Sequence, residues 1–222
     1  MGTASSAGEN MQDAKKPLRV VLLGASVGRH WDFPGLSRRL EAGSYVFEYK
    51  HGGGFDKTDR LMEVLQRAEN KPDAVILKEC AAYFPKNPAE YRAKMREWVI
   101  SCRKEGVVPI PATVVPVTRL NAFKQVLIDI LKRRRPLRFG NPFAQRRNRA
   151  ILAYNDWIRS FCRDEKLICL DMEKPLVYGA ANRFLREDFA RLDGLHINRK
   201  AYKRLDEIIP SILSRLVRAD GN

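Results

Sequence analysis

The sequence predicts an α/β protein, a three-layer α/β/α sandwich with a mainly parallel, five-stranded sheet. Two observations lead to this fold class: short apolar runs recur along the chain, and amphipathic segments with helical spacing lie between them. Strands that alternate with helices form βαβ units, whose sheet is parallel and covered on both faces.

Five segments have the length and apolar content of buried strands. They are LRVVLLG (18–24), SYVFEYK (44–50), PDAVILK (72–78), VVPIPATVV (107–115) and KLICLD (166–171). Right-handed crossovers place the carboxyl ends of parallel strands on one edge of the sheet, and ligands bind at that edge.

The intervening segments have helix signals. DKTDRLMEVLQRA begins with an acidic residue, NPAEYRAKMREWVISCRKEG ends on glycine, and RNRAILAYNDWIRSFCRDE has apolar residues at helical spacing. The last helix carries an apolar stripe from Leu205 to Val217, and Pro210 should kink or split it.

The length of 222 residues favours one domain, which we expect to span residues 17–218 after a flexible leader of residues 1–16. No tract of eighteen apolar residues is present, and the leader lacks the apolar core of a signal peptide. These features fit a cytoplasmic protein, and they also fit an exported one whose signal has been removed. The oligomeric state stays open.

Lysine and arginine number 41 against 26 acidic residues, a net charge of +15, which favours contact with polyanions or anionic surfaces. The four cysteines, at 80, 102, 162 and 169, have no zinc-ligand spacing, so free thiols are expected. A disulfide between Cys162 and Cys169 is conceivable only in an exported protein.

Two short motifs contain candidate catalytic residues. In GASVG, directly after the first strand, Ser26 is either a nucleophile at the sheet edge or the cap of the next helix. In DGLHIN, Asp193 and His196 either complete a Ser-His-Asp triad or open the last helix, with Asn198 as its cap. His30 is expected to have a structural role, or to contact the catalytic residues without taking part in the reaction.

Taken together, these motifs resemble the GDSL or SGNH hydrolases over about residues 18–217. VVLLGASVG is similar to the nucleophile block of that family, although Ala25 replaces its usual aspartate, and DGLHINRKAYKRL is similar to its terminal block. HGGGFDKTDRL looks like the second block. The resemblance implies a flavodoxin-like fold, a triad of Ser26, His196 and Asp193, and an oxyanion hole formed by the N–H groups of Ser26 and of Gly54 or Gly53.

The third block departs from the family. VILKECAAYFP has no asparagine where the family places its third oxyanion donor. Lys78 could replace that donor, and Glu79 could recognise a substrate hydroxyl or amine. His51, beside the glycine loop, is a further candidate for substrate binding, although a loop histidine without such a role is the simpler interpretation.

The resulting hypothesis is a serine esterase that hydrolyses an acyl ester of a carbohydrate or lipid without metal or cofactor. The alternatives are an O-acyltransferase, or a weak or degenerate hydrolase fold that binds a polyanion. Residues 132–149 hold eight basic residues and no acidic one, so they form either a solvated face or a basic rim for an anionic substrate or surface. The absence of recognisable nucleic-acid motifs argues against nucleic acid as a partner.

Overall fold

The computed structural model describes residues 16–119, 142–192 and 194–219, with only the backbone at 142–145, 218 and 219. Its main sheet has four strands, and each neighbouring pair is parallel. The strands are β1 (Leu18–Gly24), β2 (Tyr45–His51), β3 (Ala74–Lys78) and β4 (Val108–Ala112), in the spatial order β2-β1-β3-β4. The four therefore end on one edge, as predicted.

Helices follow the strands, close to the segments predicted from the sequence. They are α1 (Ser26–His30), α2 (Leu36–Arg39), α3 (Thr58–Leu65), α4 (Pro88–Lys104), α5 (Pro142–Asp164), α6 (Arg199–Asp206) and α7 (Ile209–Ala219). The break between α6 and α7 lies just before Pro210, which confirms the predicted split of the last helix.

Two apolar clusters, one on each face, complete the three layers. Alternate residues of β1 face opposite sides, so Val20 and Leu22 belong to one cluster and Val21 and Leu23 to the other. Helices α1, α6 and α7 contribute to the first cluster, and α3, α4 and α5 to the second. The α/β/α sandwich predicted from the sequence is thus confirmed.

The prediction of a fifth strand at 166–171 is wrong in extent, because among the described residues this segment makes only one bridge, between Leu170 and Ala112. Leu170 N–H donates to the carbonyl of Pro111 and its carbonyl accepts from Thr113 N–H, both at 3.0 Å. The reason lies in β4, VPIPA. Val108 N–H donates to the Asp73 carbonyl on the β3 side, whereas the Pro111 carbonyl accepts from Leu170 on the other side. Because backbone groups alternate in direction along a strand, those of Pro109 and Pro111 point to the outer edge of β4. Proline has no N–H, and this edge therefore lacks the donors of a longer ladder.

A small antiparallel hairpin, which the sequence did not indicate, precedes the terminal loop. It consists of β5 (Val177–Gly179) and β6 (Asn182–Leu185). Cys162 and Cys169, the pair considered for a disulfide, are free thiols. Over the part of the chain that the structure describes, no helix has both the length and the apolar character needed to cross a membrane.

Three sequence predictions fall wholly or partly outside the described residues. They are the leader 1–16 apart from Lys16, the carboxylate of Asp193, and the basic segment 132–149 up to residue 145.

Candidate active site

Ser26 and His196 meet at the carboxyl edge of the sheet. Ser26 is the first residue of α1, directly after β1 and one extended residue, Ala25. The N-cap position of α1 is occupied by Ala25, and Ser26 Oγ lies 3.1 Å from Nε2 of His196. The capping interpretation of Ser26 is therefore wrong, and the hydroxyl has the partner that a nucleophile needs.

The loop that carries His196 is held from both sides. Arg191 N–H donates to the carbonyl of His196 at 2.8 Å, and Ile197 forms a bridge pair with Ala190. Asn198 then caps α6, since its side chain accepts from the N–H groups of Lys200 and Ala201. The predicted role of Asn198 as the helix cap is therefore confirmed. His196 precedes the helix, and its ring contacts Ser26. The role of Asp193 stays a prediction.

His30 supports His196 directly. The two imidazole rings meet edge to face, with their centroids 5.7 Å apart and their planes at 81°. Since α1 carries Ser26 at its first residue and His30 at its last, one short helix positions the hydroxyl and packs against the ring of its partner. This arrangement agrees with the supporting role expected for His30.

Tyr49 and Gly28, which the sequence analysis did not single out, fix the position of α1. The Tyr49 hydroxyl donates to the carbonyl of Ala25 at 3.0 Å, next to Ser26. A Cβ at Gly28 would lie 2.6 Å from the Tyr49 ring and 3.0 Å from Leu22, so only glycine lets the helix approach this closely. The alternation in β2 placed Tyr49 on a strand, but nothing in the sequence indicated its contact with Ala25.

In the glycine loop, the two amides predicted for the oxyanion hole are engaged within the loop itself. Gly53 N–H donates to Nδ1 of His51 and Gly54 N–H to the carbonyl of Gly52, both at 3.0 Å. Gly52 N–H in turn donates to the carbonyl of Gly24 at 2.8 Å, which ties the loop to the end of β1. The described residues around the cavity at Ser26 include neither Gly53, Gly54 nor His51.

The third block contains a buried ion pair. Glu79 and Lys57 are each 1% exposed, and Lys57 Nζ lies 2.7 Å from Oε2 of Glu79. Burial raises the pKa of the Glu79 carboxyl, and the ammonium of Lys57 opposes that rise. A Cβ at Gly52 would lie 2.7 Å from the Lys57 chain, so Gly52 leaves room for this lysine. Glu79 therefore forms an ion pair with Lys57, a residue that the sequence analysis did not connect with the site.

The Lys78 side chain, unlike that of Glu79, lines the cavity at Ser26. It is fully buried, its Nζ donates to the Glu79 carbonyl at 2.8 Å, and it lines the cavity beside Ser26 and His196. Burial lowers the pKa of its ammonium group. Of the three residues suggested for substrate binding, Lys78 is the one that the structure brings to Ser26.

The cavity at Ser26 is small and mainly apolar. It encloses about 100 Å³. Besides Ser26, Lys78 and His196, its walls are formed by Val27, Cys80, Ala81, Ala82, Val114, Val115 and Leu195. The buried amide of Asn155 holds the β4 end of this wall, since it accepts from Val114 N–H and donates to the Val114 carbonyl, both at 2.7 Å. A group that enters this cavity meets a hydroxyl, an imidazole and an amine.

Among the described residues, no group of three or more histidine, cysteine or acidic side chains is placed to hold a metal ion.

Several solved structures have the same architecture. A GDSL-like lipase from Bacteroides thetaiotaomicron VPI-5482 has a TM-score of 0.63 at 15% identity, over 89% of this chain and 88% of that chain. A protein assigned as an acylhydrolase from Bacteroides fragilis NCTC 9343 has a TM-score of 0.66 at 18% identity, over 92% of both chains. A psychrotrophic esterase from Pseudoalteromonas sp., in a form inhibited by monoethylphosphonate, has a TM-score of 0.53 at 11% identity, over 90% of this chain and 98% of that one.

No protein-family model matches the sequence, and no curated protein matches it. The identity to the solved structures is low, and the likeness therefore concerns the arrangement of strands and helices over nearly the whole chain. By its architecture, the chain has the fold of the GDSL and SGNH hydrolases.

Proposed function

We propose that the protein is a serine esterase of the SGNH type. The observation that carries this proposal is the 3.1 Å contact between Ser26 Oγ and His196 Nε2 at the carboxyl edge of the sheet. A serine hydroxyl is a weak nucleophile until an adjacent base accepts its proton, and a neutral imidazole at this distance can do so.

In the proposed reaction, Ser26 Oγ attacks the ester carbonyl while its proton passes to His196. Collapse of the tetrahedral intermediate expels the alcohol, which takes that proton, and leaves an acyl-serine. Water then attacks the acyl group, gives its proton to the imidazole, and the carboxylic acid departs as Ser26 is regenerated. Asp193 would orient the imidazole and stabilise its charged form.

The oxyanion needs donors, and we assign them to Ser26 N–H, to Lys78 and to Gly54 or Gly53. The Lys78 amine already lines the cavity. The glycine amides can contribute only if substrate draws them away from their present acceptors, His51 Nδ1 and the Gly52 carbonyl. This requirement makes closure of the glycine loop on the substrate part of the proposal.

The cavity favours a short acyl group. Its volume of about 100 Å³ holds only a few non-hydrogen atoms, and its walls are mostly apolar. An acetyl ester fits this space better than a long acyl chain, whether the alcohol belongs to a carbohydrate or a lipid. Transfer to an acceptor alcohol uses the same acyl-serine, so an acyltransferase differs only in what attacks it.

The first test compares p-nitrophenyl acetate and octanoate as substrates for the wild type and Ser26→Ala, with folding checked by circular dichroism. We expect the acetate to be preferred, and kcat/KM to fall at least about a thousandfold in the variant. A fluorophosphonate should label the wild type at Ser26 and leave the variant unlabelled. Equal activity in both proteins would refute Ser26 as the nucleophile.

A non-catalytic protein that binds a polyanion is the second candidate, favoured by the engaged amides of Gly53 and Gly54. It predicts no hydrolysis, no labelling of Ser26, and an affinity for polyanions that falls steeply with added salt. Labelling of Ser26 by the fluorophosphonate would exclude it.

A further inference from the structure

A second cleft, of about 440 Å³, lies beside the candidate active site. It runs between the segment that follows Ser26, from His30 to Arg39, and the first turns of α6, from Arg199 to Asp206. His30 is shared between the two sites, because it lines this cleft and its ring packs against His196.

The cleft has an excess of positive charge. Two carboxylates line it, Asp32 and Asp206, and both are bonded to Arg39. Four more cations line it, Arg38, Arg191, Arg199 and Lys203, and their side chains have no ion-pair or hydrogen-bond partner among the described residues. Four unpaired like charges around one cleft repel each other, and a bound anion would relieve that repulsion.

A buried hydroxyl points to a ligand independently of the charges. Tyr202 lines the cleft and is 6% exposed, and its hydroxyl oxygen is buried without a hydrogen-bond partner within the described part of the chain. Burial raises the pKa of this phenol, so it remains a protonated donor near neutral pH, with the charge of Arg191 close by. A buried polar group without a partner is unfavourable, so a ligand oxygen that reaches this hydroxyl would stabilise it.

The cleft is within reach of an ester held at Ser26. Helix α1 places His30 four residues after Ser26, a rise of about 6 Å. On the other side, Arg191 is joined through its N–H to the carbonyl of His196. One substrate molecule could therefore have its acyl group in the small cavity and another group in the basic cleft.

We propose that this cleft binds a phosphate group carried by the ester substrate, so that the substrate class is phosphorylated acyl esters. The proposal rests on the proposed esterase function. Phosphate suits the site because it carries nearly two charges at pH 7, and the planar forks of Arg38, Arg191 and Arg199 match its oxygens. The Tyr202 hydroxyl would supply a neutral donor to the same group.

Binding is tested first, without any assumption about catalysis. Inorganic phosphate and glycerol 3-phosphate are titrated at constant ionic strength, and chemical shifts or melting temperature report binding. Arg38→Gln/Arg199→Gln/Lys203→Gln should weaken binding about tenfold or more, because three cations are lost. Its matched control, Lys104→Gln/Arg163→Gln/Lys166→Gln, removes three exposed cations elsewhere and should bind as the wild type does.

Tyr202→Phe separates ligand binding from folding. The ring is kept and only an unpartnered hydroxyl is lost, so the stability without ligand should be unchanged or higher. Phosphate binding should still weaken. Unchanged phosphate binding in both Tyr202→Phe and the cleft triple variant would overturn the site.

Specificity is tested second, with acetylated glucose and acetylated glucose 6-phosphate. The cleft triple variant should lose about tenfold or more in kcat/KM for the phosphorylated ester and keep its value for the neutral one. If phosphate binds while neither ester is hydrolysed, the esterase function fails and the anion site stands. If both esters are hydrolysed equally well by the wild type, the substrate assignment is overturned.

A membrane headgroup is the other source of the same chemistry. Vesicles of phosphatidylglycerol and of phosphatidylcholine are compared for both the wild type and the cleft variant. Binding to the anionic vesicles that depends on the cleft, without binding of glycerol 3-phosphate, would overturn the substrate proposal in favour of attachment to a lipid surface.

Discussion

At the scale of single residues, Lys78 is the side chain whose position the sequence explains least. A buried amine is costly as a cation, and burial accordingly lowers the pKa of Lys78. Among the described residues, its amine makes one hydrogen bond, to the Glu79 carbonyl, and its aliphatic chain passes beside Gly24. Such a group, next to Ser26, can donate to an oxyanion without a neighbouring asparagine.

Replacing Lys78 by methionine should therefore lower kcat for p-nitrophenyl acetate by about a hundred- to a thousandfold, with a smaller change in KM, because one oxyanion donor is lost. Methionine keeps the linear shape, so folding should be retained. Lys78→Gln keeps a donor and should recover part of the rate. A Lys78→Met variant with the kcat of the wild type would contradict this role.

The ion pair of Lys57 and Glu79 is the second residue-scale feature. Both side chains are 1% exposed, so removing one partner leaves a buried charge. Lys57→Met alone should destabilise the fold by about 3–5 kcal/mol, measured by chemical denaturation. The double variant Lys57→Met/Glu79→Gln should recover part of that loss, whereas equal losses in both variants would show that the pair has no such coupling.

At the scale of elements, the short helix α1 depends on a glycine contact. A methyl group at Gly28 would meet the Tyr49 ring at 2.6 Å, so Gly28→Ala must push α1 or Tyr49 away. We expect a loss of about 1–3 kcal/mol in stability, together with reduced esterase activity, because α1 carries Ser26. Gly43→Ala, where nothing lies within 4 Å of the new carbon, is the matched control and should leave both quantities nearly unchanged.

The turn after residue 170 is an element held by one carboxylate. Asp171 accepts from Arg159 at 2.9 and 3.0 Å, from Thr113 Oγ1 at 3.1 Å, and from the N–H groups of Glu173 and Lys174 at 3.2 Å. Burial by itself would raise the pKa of Asp171, but the hydrogen bonds and charge of Arg159 outweigh it and hold that pKa below its usual value.

A lowered folded-state pKa stabilises the protein above the unfolded value of about 3.9, and this stabilisation is lost as the pH falls through the folded value. Asp171→Asn should therefore destabilise the fold by about 1–3 kcal/mol at pH 7, and by progressively less below pH 4. Denaturation midpoints across this pH range measure the difference. Asp164→Asn, an exposed carboxylate 68% accessible, should show almost none. A difference that does not change with pH would contradict the assignment.

At the scale of the whole molecule, the two apolar clusters cannot be separated, because alternate residues of the same strands belong to each. One domain over residues 17–218 stays a prediction. We expect unfolding in a single transition. Trp31 belongs to one cluster, and Trp98 and Trp157 contact the other, so a variant that keeps only Trp31 and a variant that keeps only Trp98 each report one face. In each variant, fluorescence and far-UV circular dichroism should give the same midpoint. Different midpoints would indicate that the faces unfold independently.

The sequence by itself determined the α/β/α class, four of the five strands, the break before Pro210 and the two motifs that meet at the site. These features depend on local patterns. Short apolar runs and apolar residues at helical spacing show which face of each strand or helix is buried, whatever its position in the fold. A parallel sheet places the end of β1, and with it Ser26, at the edge where the other strands end. The meeting of Ser26 with His196 was predicted from the two motifs and from the family resemblance that they carry.

Only the tertiary structure decided which groups surround that pair. Lys57 reaches Glu79 across 22 positions, and Tyr49 reaches Ala25 across 24, contacts that no local pattern encodes. The predicted fifth strand makes only one bridge among the described residues, because the backbone groups of Pro109 and Pro111 point to the outer edge of β4. Which residues point there depends on how β4 pairs with β3. The basic cleft likewise assembles Arg38, Arg191 and Lys203 from distant segments. The charge and the burial of a site depend on residues that are distant in the sequence. Only the folded chain brings those residues together.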